Sequence, residues 1–358
     1  MRRFHSLTVA GVARETEDSV RVSLQVPTEL HEQFRFLPGQ HLPLQVVLNG
    51  AKVRRTYSIC SMPGQWPLEI GVRIQPGGLF SEFVASELAA GSLLEAMPPF
   101  GQFHALPDAA GASTRVAFAA GSGITPILSI LRATLETEPQ SRFMLFYGNR
   151  RQRTTMFIED LYALKNRFPE RLQLFFLFSQ EEQEFPVMSG RLDVQKVREL
   201  WRLFCANCRP DEAFVCGPDT MIDTVSDTLA ELGMPREAVH VERYGVPRLR
   251  RVQDAPTPVR GSGERLASIT VIMDGHEKTF DMSEASRNVV DAAAEHGIDL
   301  PYSCKGGVCA TCRTWLREGQ VRMNANFALE PWEVEKGFVL ACQSYPLTDR
   351  VVLDYDKV

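Results

Sequence analysis

Four cysteines near the C-terminus, Cys304, Cys309, Cys312 and Cys342, carry the spacing C-x4-C-x2-C-x29-C. This is the plant-type arrangement for a [2Fe–2S] cluster held by four thiolates. Three of the ligands must come from one loop wrapped around the cluster. Gly306, Gly307, Ala310 and Thr311 keep the side chains there small, so backbone N–H groups can approach the sulfurs and hold their negative charge. A zinc ion on four thiolates and ordinary buried thiols stay open as alternatives, although zinc sites favour two C-x2–4-C pairs. Cys205 and Cys208 form a C-x-x-C pair, the spacing of a redox or half-zinc site, but no second pair lies near in sequence and they read as surface or packing cysteines; Cys60 falls in a strand and reads as core.

A second set of residues could hold nucleotides. Arg55-Thr56-Tyr57-Ser58 lies on an expected strand, and Gly77-Gly78-Leu79-Phe80-Ser81 opens an expected helix. A glycine pair at a helix N-terminus offers free N–H donors and the positive end of the helix dipole to a pyrophosphate. Arg55 could pair with the same phosphates, Tyr57 could stack on a flat ring, and Ser58 could hydrogen-bond a ring nitrogen. Further on, Gly121-Ser122-Gly123-Ile124-Thr125-Pro126 sits between a strand and a helix, the context a phosphate-binding turn requires. Its third glycine is replaced by Pro126, so the ordinary dinucleotide fingerprint is not met. Cys216-Gly217-Pro218 ends a later strand and places a second small-residue turn at the same sheet edge. Arg150, Arg151 and Arg153 follow another strand with no acid among them to hold a ribose hydroxyl. That favours a 2′-phosphate and hence NADPH over NADH.

The elements that must position these groups change character along the chain. Residues 4–106 hold short runs, Ser6–Val12, Val20–Val26, His41–Leu48, Val53–Ile59 and Leu68–Ile74, separated by Pro/Gly turns and one helix, Leu79–Leu88. Strands so closely spaced predict an antiparallel β-barrel. From Arg115 to Tyr244 strands alternate with helices: strands Val116–Ala120, Phe143–Tyr147, Leu172–Phe178, Ala213–Cys216 and Val239–Val241, helices Ile127–Leu135, Val194–Phe204 and Met221–Leu232. This predicts a doubly wound parallel α/β sheet with ligands at the carboxyl ends of its strands. Gly245–Ala267 is rich in Pro, Gly and Arg and reads as a linker. Beyond it come a hairpin, Ile269–Met273 and Glu277–Phe280, a helix, Val289–Glu295, and the cysteine loop, a small α+β unit. The expected domains are thus 1–110, 111–244 and 268–358, joined by linker 245–267.

Composition bounds the class. The 358 residues are 44% hydrophobic and 23% charged, with net charge -5, ordinary for a globular protein that buries real cores. From residue 268 onward there are 9 Lys+Arg against 14 Asp+Glu, so the acidity concentrates in the C-terminal piece, which suits a docking surface or simply a solvated one. With no basic patch the chain is a poor nucleic-acid binder. Its longest uncharged stretches, such as Val116–Leu131, carry Gly and Pro and do not suit a membrane span. The N-terminus lacks a secretory pattern, so the expected compartment is the cytoplasm.

Taken together, R-x-Y-S, G-G-x-x-S, G-S-G-I-T-P, C-G-P and the cysteine loop resemble, in order, the ferredoxin–NADP reductase superfamily fused to a C-terminal plant-type ferredoxin of β-grasp fold. The opening residues 4–10 (FHSLTVA), Phe36–Leu42 (FLPGQHL), Tyr147-Gly148-Asn149-Arg150 and Cys304–Cys312 (CKGGVCATC) are more closely similar to the phenylacetyl-CoA epoxidase reductase family, from bacterial multicomponent oxygenases. The resemblance implies an FAD site. Arg55 would contact its pyrophosphate, with Thr56 in the same motif, Tyr57 would stack on the isoalloxazine, and Ser58 would sit near N5. Gly78 and Ser81 would hold the phosphates, with Gly77 and Phe80 in the same cofactor-binding motif. It implies Gly121, Gly123, Thr125 and Pro126 around the coenzyme, and Cys216, Gly217 and Pro218 near the nicotinamide. Glu242-Arg243-Tyr244 stands where plant-type members place an aromatic shield, making Tyr244 the candidate. The implied activity is electron transfer from NADPH through FAD and the cluster to an oxygenase component, with the linker letting the cluster domain alternate between flavin and partner. Such a protein supplies positioning and electrostatics rather than an acid–base pair, so no catalytic dyad is nominated. Reductases of Rieske or other di-iron oxygenases, of hybrid-cluster proteins, FMN-using relatives, and a redox-responsive binding module remain as alternatives.

Overall fold

The computed structural model describes residues 3–244, 265–283, 286 and 288–357. The chain divides into two units, one of residues 4–243 and one of residues 244–358 with the first three residues. The first unit opens with six antiparallel strands: β1 (His5–Thr16), β2 (Ser19–Gln25), β3 (His41–Leu48), β4 (Ala51–Ser58), β5 (Leu68–Arg73) and β6 (Leu93–Ala96). Their order is β4-β3-β6-β1-β2-β5. The two edges meet through a narrow seam, where Ile59 bridges Ile70 and the Cys60 N–H donates to the Glu69 carbonyl at 2.8 Å. Alternate residues such as Leu7, Val9, Val22, Leu24, Leu42 and Leu44 fill the interior, as the two-residue period of a strand requires. Helix α1 (Leu79–Ser86) packs on β2, β4 and β5, with Phe80 and Val84 in that core.

The same unit continues into a parallel sheet of β7 (Thr114–Ala120), β8 (Arg142–Asn149), β9 (Leu172–Phe178), β10 (Glu212–Cys216) and β11 (Val239–Glu242), in the order β11-β10-β7-β8-β9. Helices α2 (Ile124–Thr137), α3 (Ile158–Arg167), α4 (Val194–Leu200) and α5 (Asp219–Glu231) cover it. Strand β7 shows why its sequence is apolar at successive positions. Ala117 and Ala119 face a core shared with α2 and α3, whereas Val116 and Phe118 face a second core shared with α4 and α5. Both faces are covered. Strand order reverses at β7, so the crevice between the carboxyl ends of β7 and β10 is the topological switch point where such sheets bind ligands.

Barrel and parallel sheet are fastened by charge and close packing. Asp160 of α3 takes hydrogen bonds from Arg21 of β2 and Arg132 of α2, and Glu15 accepts the Phe157 N–H at 2.8 Å. Gly71 of β5 admits the contact, since a Cβ there would stand 2.8 Å from both Phe157 and Thr125.

In the second unit β12 (Arg265–Met273), β13 (His276–Ser283), β14 (Arg313–Glu318), β16 (Phe338–Leu340) and β18 (Arg350–Asp354) form a mixed sheet, β13-β12-β18-β14-β16, in which β12 and β18 are parallel. Helix α6 (Val289–Glu295) lies on it, and β15 (Val321–Met323) pairs with β17 (Ser344–Pro346). The short helix α7 (Pro331–Glu335) is stopped at its start by a Glu330–Glu333 capping box.

Several boundaries differ from the sequence reading. Helix α2 begins three residues early, because Gly121–Gly123 already turns as a 3-10 helix into it. The helix expected over Val194–Phe204 ends at Leu200 and continues as a π-helical turn, Trp201–Cys205. Strand β6 is only four residues long, and α3 buries only Leu161 and Leu164, so neither carries a strong periodic signal. Residues 265–267, expected in the linker, already pair with β13; the rest of that linker lies outside the described residues. Among the described residues no helix is long and apolar enough to cross a membrane.

One partly buried network offers a pH-dependent check on this fold. Arg115 donates to Glu138 at 2.6 Å and to Glu212 at 2.7 Å, and His240 lies 3.4 Å from Glu212. Hydrogen bonds from His240 and Arg115 hold the Glu212 carboxyl at about 2. A depressed carboxyl adds stability that is complete above its unfolded value near 4.5 and fades as pH falls towards about 2. Discounted for screening by solvent at this partly exposed carboxyl, Glu212→Gln should therefore lower stability by about 1 kcal/mol at pH 7. The gap in urea midpoint, followed by flavin release, should shrink below pH 4.5; a gap that widens instead would contradict the pairing.

Candidate functional site

Arg55 and Tyr57 share one face of β4, and Ser58 lies on the other. Tyr57 meets Phe80 of α1 with ring centroids 5.5 Å apart, and burial pushes its pKa up to about 12. Phe80, only 1% exposed, belongs to the barrel core and meets the site through Tyr57. Arg55 is exposed, its guanidinium tied to the Arg54 carbonyl at 2.7 Å, and Thr56 is half-buried opposite Pro43 of β3.

The glycine pair is organised differently from the sequence expectation. The Gly77 N–H donates to the Glu82 carboxylate at 2.7 Å, and the Gly78 N–H to the Gln75 carbonyl at 2.8 Å. Ser81 staples this turn, donating to the Gly78 carbonyl and accepting the Gln75 N–H, both at 3.0 Å. The donors a phosphate would find are thus the first-turn amides of Leu79, Phe80 and Ser81, which a helix cannot satisfy internally. Gly78 is required for closeness, since a Cβ there would lie 2.7 Å from the Ser81 hydroxyl.

Across the switch point the two small-residue turns interlock. A Cβ on Gly123 would stand 2.1 Å from the Cys216 carbonyl oxygen, and one on Gly217 would stand 2.7 Å from Met221. Gly121 adopts φ +55° and its carbonyl accepts from the Tyr147 hydroxyl at 2.8 Å. The Thr125 hydroxyl closes the turn on the Ser122 carbonyl at 3.0 Å, and Pro126 is buried in the first turn of α2. Pro218 caps α5 in extended geometry. Fully buried Cys216 pairs in register with Glu242 of β11.

Glu242 joins the two halves. Its carboxylate accepts from the Ser58 hydroxyl at 3.1 Å and lies 3.2 Å from His41 Nδ1. The serine of R-x-Y-S and the strand that ends in C-G-P, expected separately, are therefore linked through Glu242, which bonds the one with its side chain and neighbours the other in the sheet. Tyr244, two residues on, is 41% exposed and falls in the second unit. Arg150 is exposed after β8; among the described residues it and Arg151 make no ion pair, whereas Arg153 reaches Glu17 at 3.4 Å. A cavity of about 320 Å³ opens by the loops after β8 and β9, lined by Gln152, Phe176, Phe178, Phe185 and Met188 among others.

In the second unit the loop from Cys304 to Cys312 turns through three left-handed residues, Lys305, Gly307 and Ala310. The Gly306 N–H donates to the Cys304 sulfur at 3.3 Å and the Cys304 N–H to the Cys309 sulfur at 3.5 Å. Cys342 is brought in by its neighbours: Ala341 donates to the Cys312 carbonyl at 3.1 Å, and Gln343 to the Lys305 carbonyl at 2.9 Å. Close approach of the Cys309 and then the Cys342 thiol draws Cys304 well below the usual thiol range, and the same contacts push Cys309 and Cys342 up. Four thiols gathered in this way, with amides aimed at their sulfurs, fit an iron–sulfur cluster.

Sequence reasoning missed Glu242 and His41 as site residues. The signal for Glu242 was its place at the end of the strand beside Cys216. The interlocked turns also generate a test. Gly123→Ala must displace the Cys216 carbonyl, at about 1–3 kcal/mol for overpacking. We expect KM for the reduced coenzyme to rise roughly tenfold or more with flavin content unchanged; an unaltered KM would contradict the geometry.

Comparison with known proteins agrees with this assembly. Family models match residues 6–105 (oxidoreductase FAD-binding domain), 118–227 (oxidoreductase NAD-binding domain) and 271–347 (2Fe-2S iron-sulfur cluster binding domain). The chain is 42% identical to a component of the 1,2-phenylacetyl-CoA epoxidase of Escherichia coli, covering 99% of each chain. It is 33% identical to the ferredoxin reductase component of 3-ketosteroid-9-alpha-monooxygenase from Rhodococcus rhodochrous, over 98% of this chain and 96% of that one. Its fold is similar to that of phthalate dioxygenase reductase, with a TM-score of 0.59, 22% identity and 98% of both chains covered. The chain thus belongs to the NAD(P)H-dependent iron–sulfur flavoprotein reductases, with FAD, a [2Fe–2S] cluster and the role of electron-transfer component to an oxygenase.

Proposed function

We propose that this chain oxidises NADPH and delivers electrons to an oxygenase that epoxidises phenylacetyl-CoA. The observation that carries the reading is the likeness to the Escherichia coli epoxidase component, which runs the whole length of both chains. The likeness to ketosteroid monooxygenase reductases supports a second reading, in which the acceptor is a different oxygenase.

Within this reading the three working parts are residues 1–110, 111–244 and 268–358, joined through 245–267. Arg55 and the first-turn amides of α1 would take the FAD phosphates, and Tyr57 would lie against its ring. Ser58, held by Glu242, would present its hydroxyl to the ring edge that receives hydride. Gly121, Gly123, Thr125, Cys216 and Gly217 would shape the slot for the nicotinamide half. The guanidinium groups of Arg150 and Arg151 would take a 2′-phosphate, a bidentate match, and the neighbouring aromatic-lined cavity suits an adenine. Bound FAD supplies the chemistry the side chains lack, accepting a hydride and releasing its electrons one at a time. Cys304, Cys309, Cys312 and Cys342 would hold the cluster, and the acidic C-terminal piece would face the oxygenase. Eight cysteines with no disulfide among them suit the reducing cytoplasm.

The test is conversion of phenylacetyl-CoA by the purified holoprotein with NADPH, with the cognate oxygenase component added and omitted. Product is expected only in the complete mixture. Brisk cytochrome c reduction without product, together with support of a ketosteroid oxygenase, would favour the second reading and overturn the first.

A further inference from the structure

Strand β9 ends its sheet, with β8 on one side and, among the described residues, no strand on the other. Outer strands invite pairing with another chain, and proteins usually blunt them with charge or shortness. Strand β11 is four residues long, β16 is three, and β13 carries His276, Glu277, Lys278 and Asp281. Strand β9 reads LQLFFLF and has neither device. Its ladder to β8 fixes which backbone groups face outward. Phe143 donates to the Arg171 carbonyl at 2.8 Å and Ser179 to the Asn149 carbonyl at 3.0 Å, so odd-numbered residues bond β8 and even-numbered ones point away. At both ends the outward groups are closed. The Leu172 N–H donates to Phe168 and its carbonyl accepts from Lys165, while the Phe178 carbonyl accepts from Gly190. Between them the outward N–H and C=O of Leu174 and of Phe176 meet no partner among the described residues. Both residues line the cavity of about 320 Å³.

The side chains say what would complete this edge. Phe118, Phe146 and Phe175 stand side by side on β7, β8 and β9, stacked with ring centroids 5.0 and 4.9 Å apart. The row stops at Phe175, half-buried at the edge, with Phe204 packed on it at 4.2 Å. The flanks of the strand carry opposite charge. Lys165, Arg167 and Arg171 precede it, and Glu181, Glu182 and Glu184 follow it. Lys165 and Arg171 spend their donors on backbone carbonyls, and Glu182 and Glu184 make no ion pair among the described residues. We propose that β9 pairs antiparallel with β9 of a second copy of this chain, about a two-fold axis at Phe175. Leu174 of each copy then exchanges both backbone hydrogen bonds with Phe176 of the other. Phe175 meets its own counterpart as the next member of the aromatic row. The same register sets residues 181–184 of one copy against 166–169 of the other, acid beside base. Such an interface is isologous and closes at two copies. Gln152 and Gln183, at the end of the cavity beyond the carboxyl end of β9, are not used by the pairing, so the proposed adenine site and the second copy occupy different stretches.

The experiment is sedimentation equilibrium of the full-length holoprotein over a concentration series reaching about 100 μM. The mass should rise towards that of two chains, and the mass of one chain throughout would overturn the proposal. Amide hydrogen exchange then locates the contact. Uptake at the Leu174 and Phe176 amides should slow as concentration rises; unchanged uptake in a dimeric sample would put the interface elsewhere and overturn the pairing. Charge exchange tests the direction of the strands. Glu182→Lys with Glu184→Lys should raise the dissociation constant about tenfold. Arg167→Glu alone should weaken pairing too, and the three substitutions together should regain most of the original affinity, because the two signs have changed places. A triple variant no tighter than the glutamate pair would overturn the antiparallel register. Equal flavin content and far-UV circular dichroism establish that each variant is folded. Should the variants fail to fold, hydrogen exchange on the unaltered protein decides alone.

Discussion

A hydride carries two electrons as a single unit, whereas a [2Fe–2S] cluster accepts one, so a group that can do both must stand between them. That mismatch explains why one chain holds three kinds of site. It also explains why so few of the site residues are acids or bases. What the first unit supplies is closeness: a flat ring and a nicotinamide must approach without water between them, and side chains must stay out of the way. Gly123, whose missing side chain lets its turn rest on the Cys216 carbonyl, and Gly71, whose missing side chain lets the barrel rest on Phe157, are the two places where this is most literal.

Glu242 shows how the two halves of the first unit are registered. It sits at the carboxyl end of β11, beside Cys216, and reaches Ser58 and His41 of the barrel. Hydrogen bonds to a charged group contribute about 1.5–3 kcal/mol when shielded. An exposed pair such as Arg198–Glu231, with both side chains more than half accessible, contributes about 0–1 kcal/mol. The buried contacts of Glu242, Asp160 and Glu138 therefore hold the arrangement, and the many surface ion pairs do not decide it. The second unit uses the same logic on sulfur, with backbone amides and sequence-adjacent residues of Cys342 tying the ligand loop together.

The sequence was most readable where function is local. The cysteine loop packs three ligands and its small spacers into nine residues, and G-S-G-I-T-P and C-G-P each sit on one strand end, so their types and spacing already spell out their use. The parallel sheet was readable because β7 is apolar at every position from Val116 to Ala120. What stayed hidden was long-range or weak in pattern. Ser58 and Glu242 are 184 positions apart, and His41 and Glu242 201, so no local window links them. Gly77 and Gly78 looked like free phosphate donors, but Glu82, one turn on, takes the Gly77 N–H, a hydrogen bond that spacing alone does not disclose. Strand β6 was too short to show alternation, and α3 too polar to show a stripe.

The central claim is that electrons entering as a pair leave singly through the cluster of the same polypeptide. Anaerobic addition of excess NADPH to the purified holoprotein, with no oxygenase present, followed by low-temperature EPR, tests it most directly. The account predicts loss of the oxidised flavin spectrum together with a rhombic signal from a reduced [2Fe–2S] cluster, close to one spin per chain. A bleached flavin beside a cluster that stays oxidised and EPR-silent would contradict it.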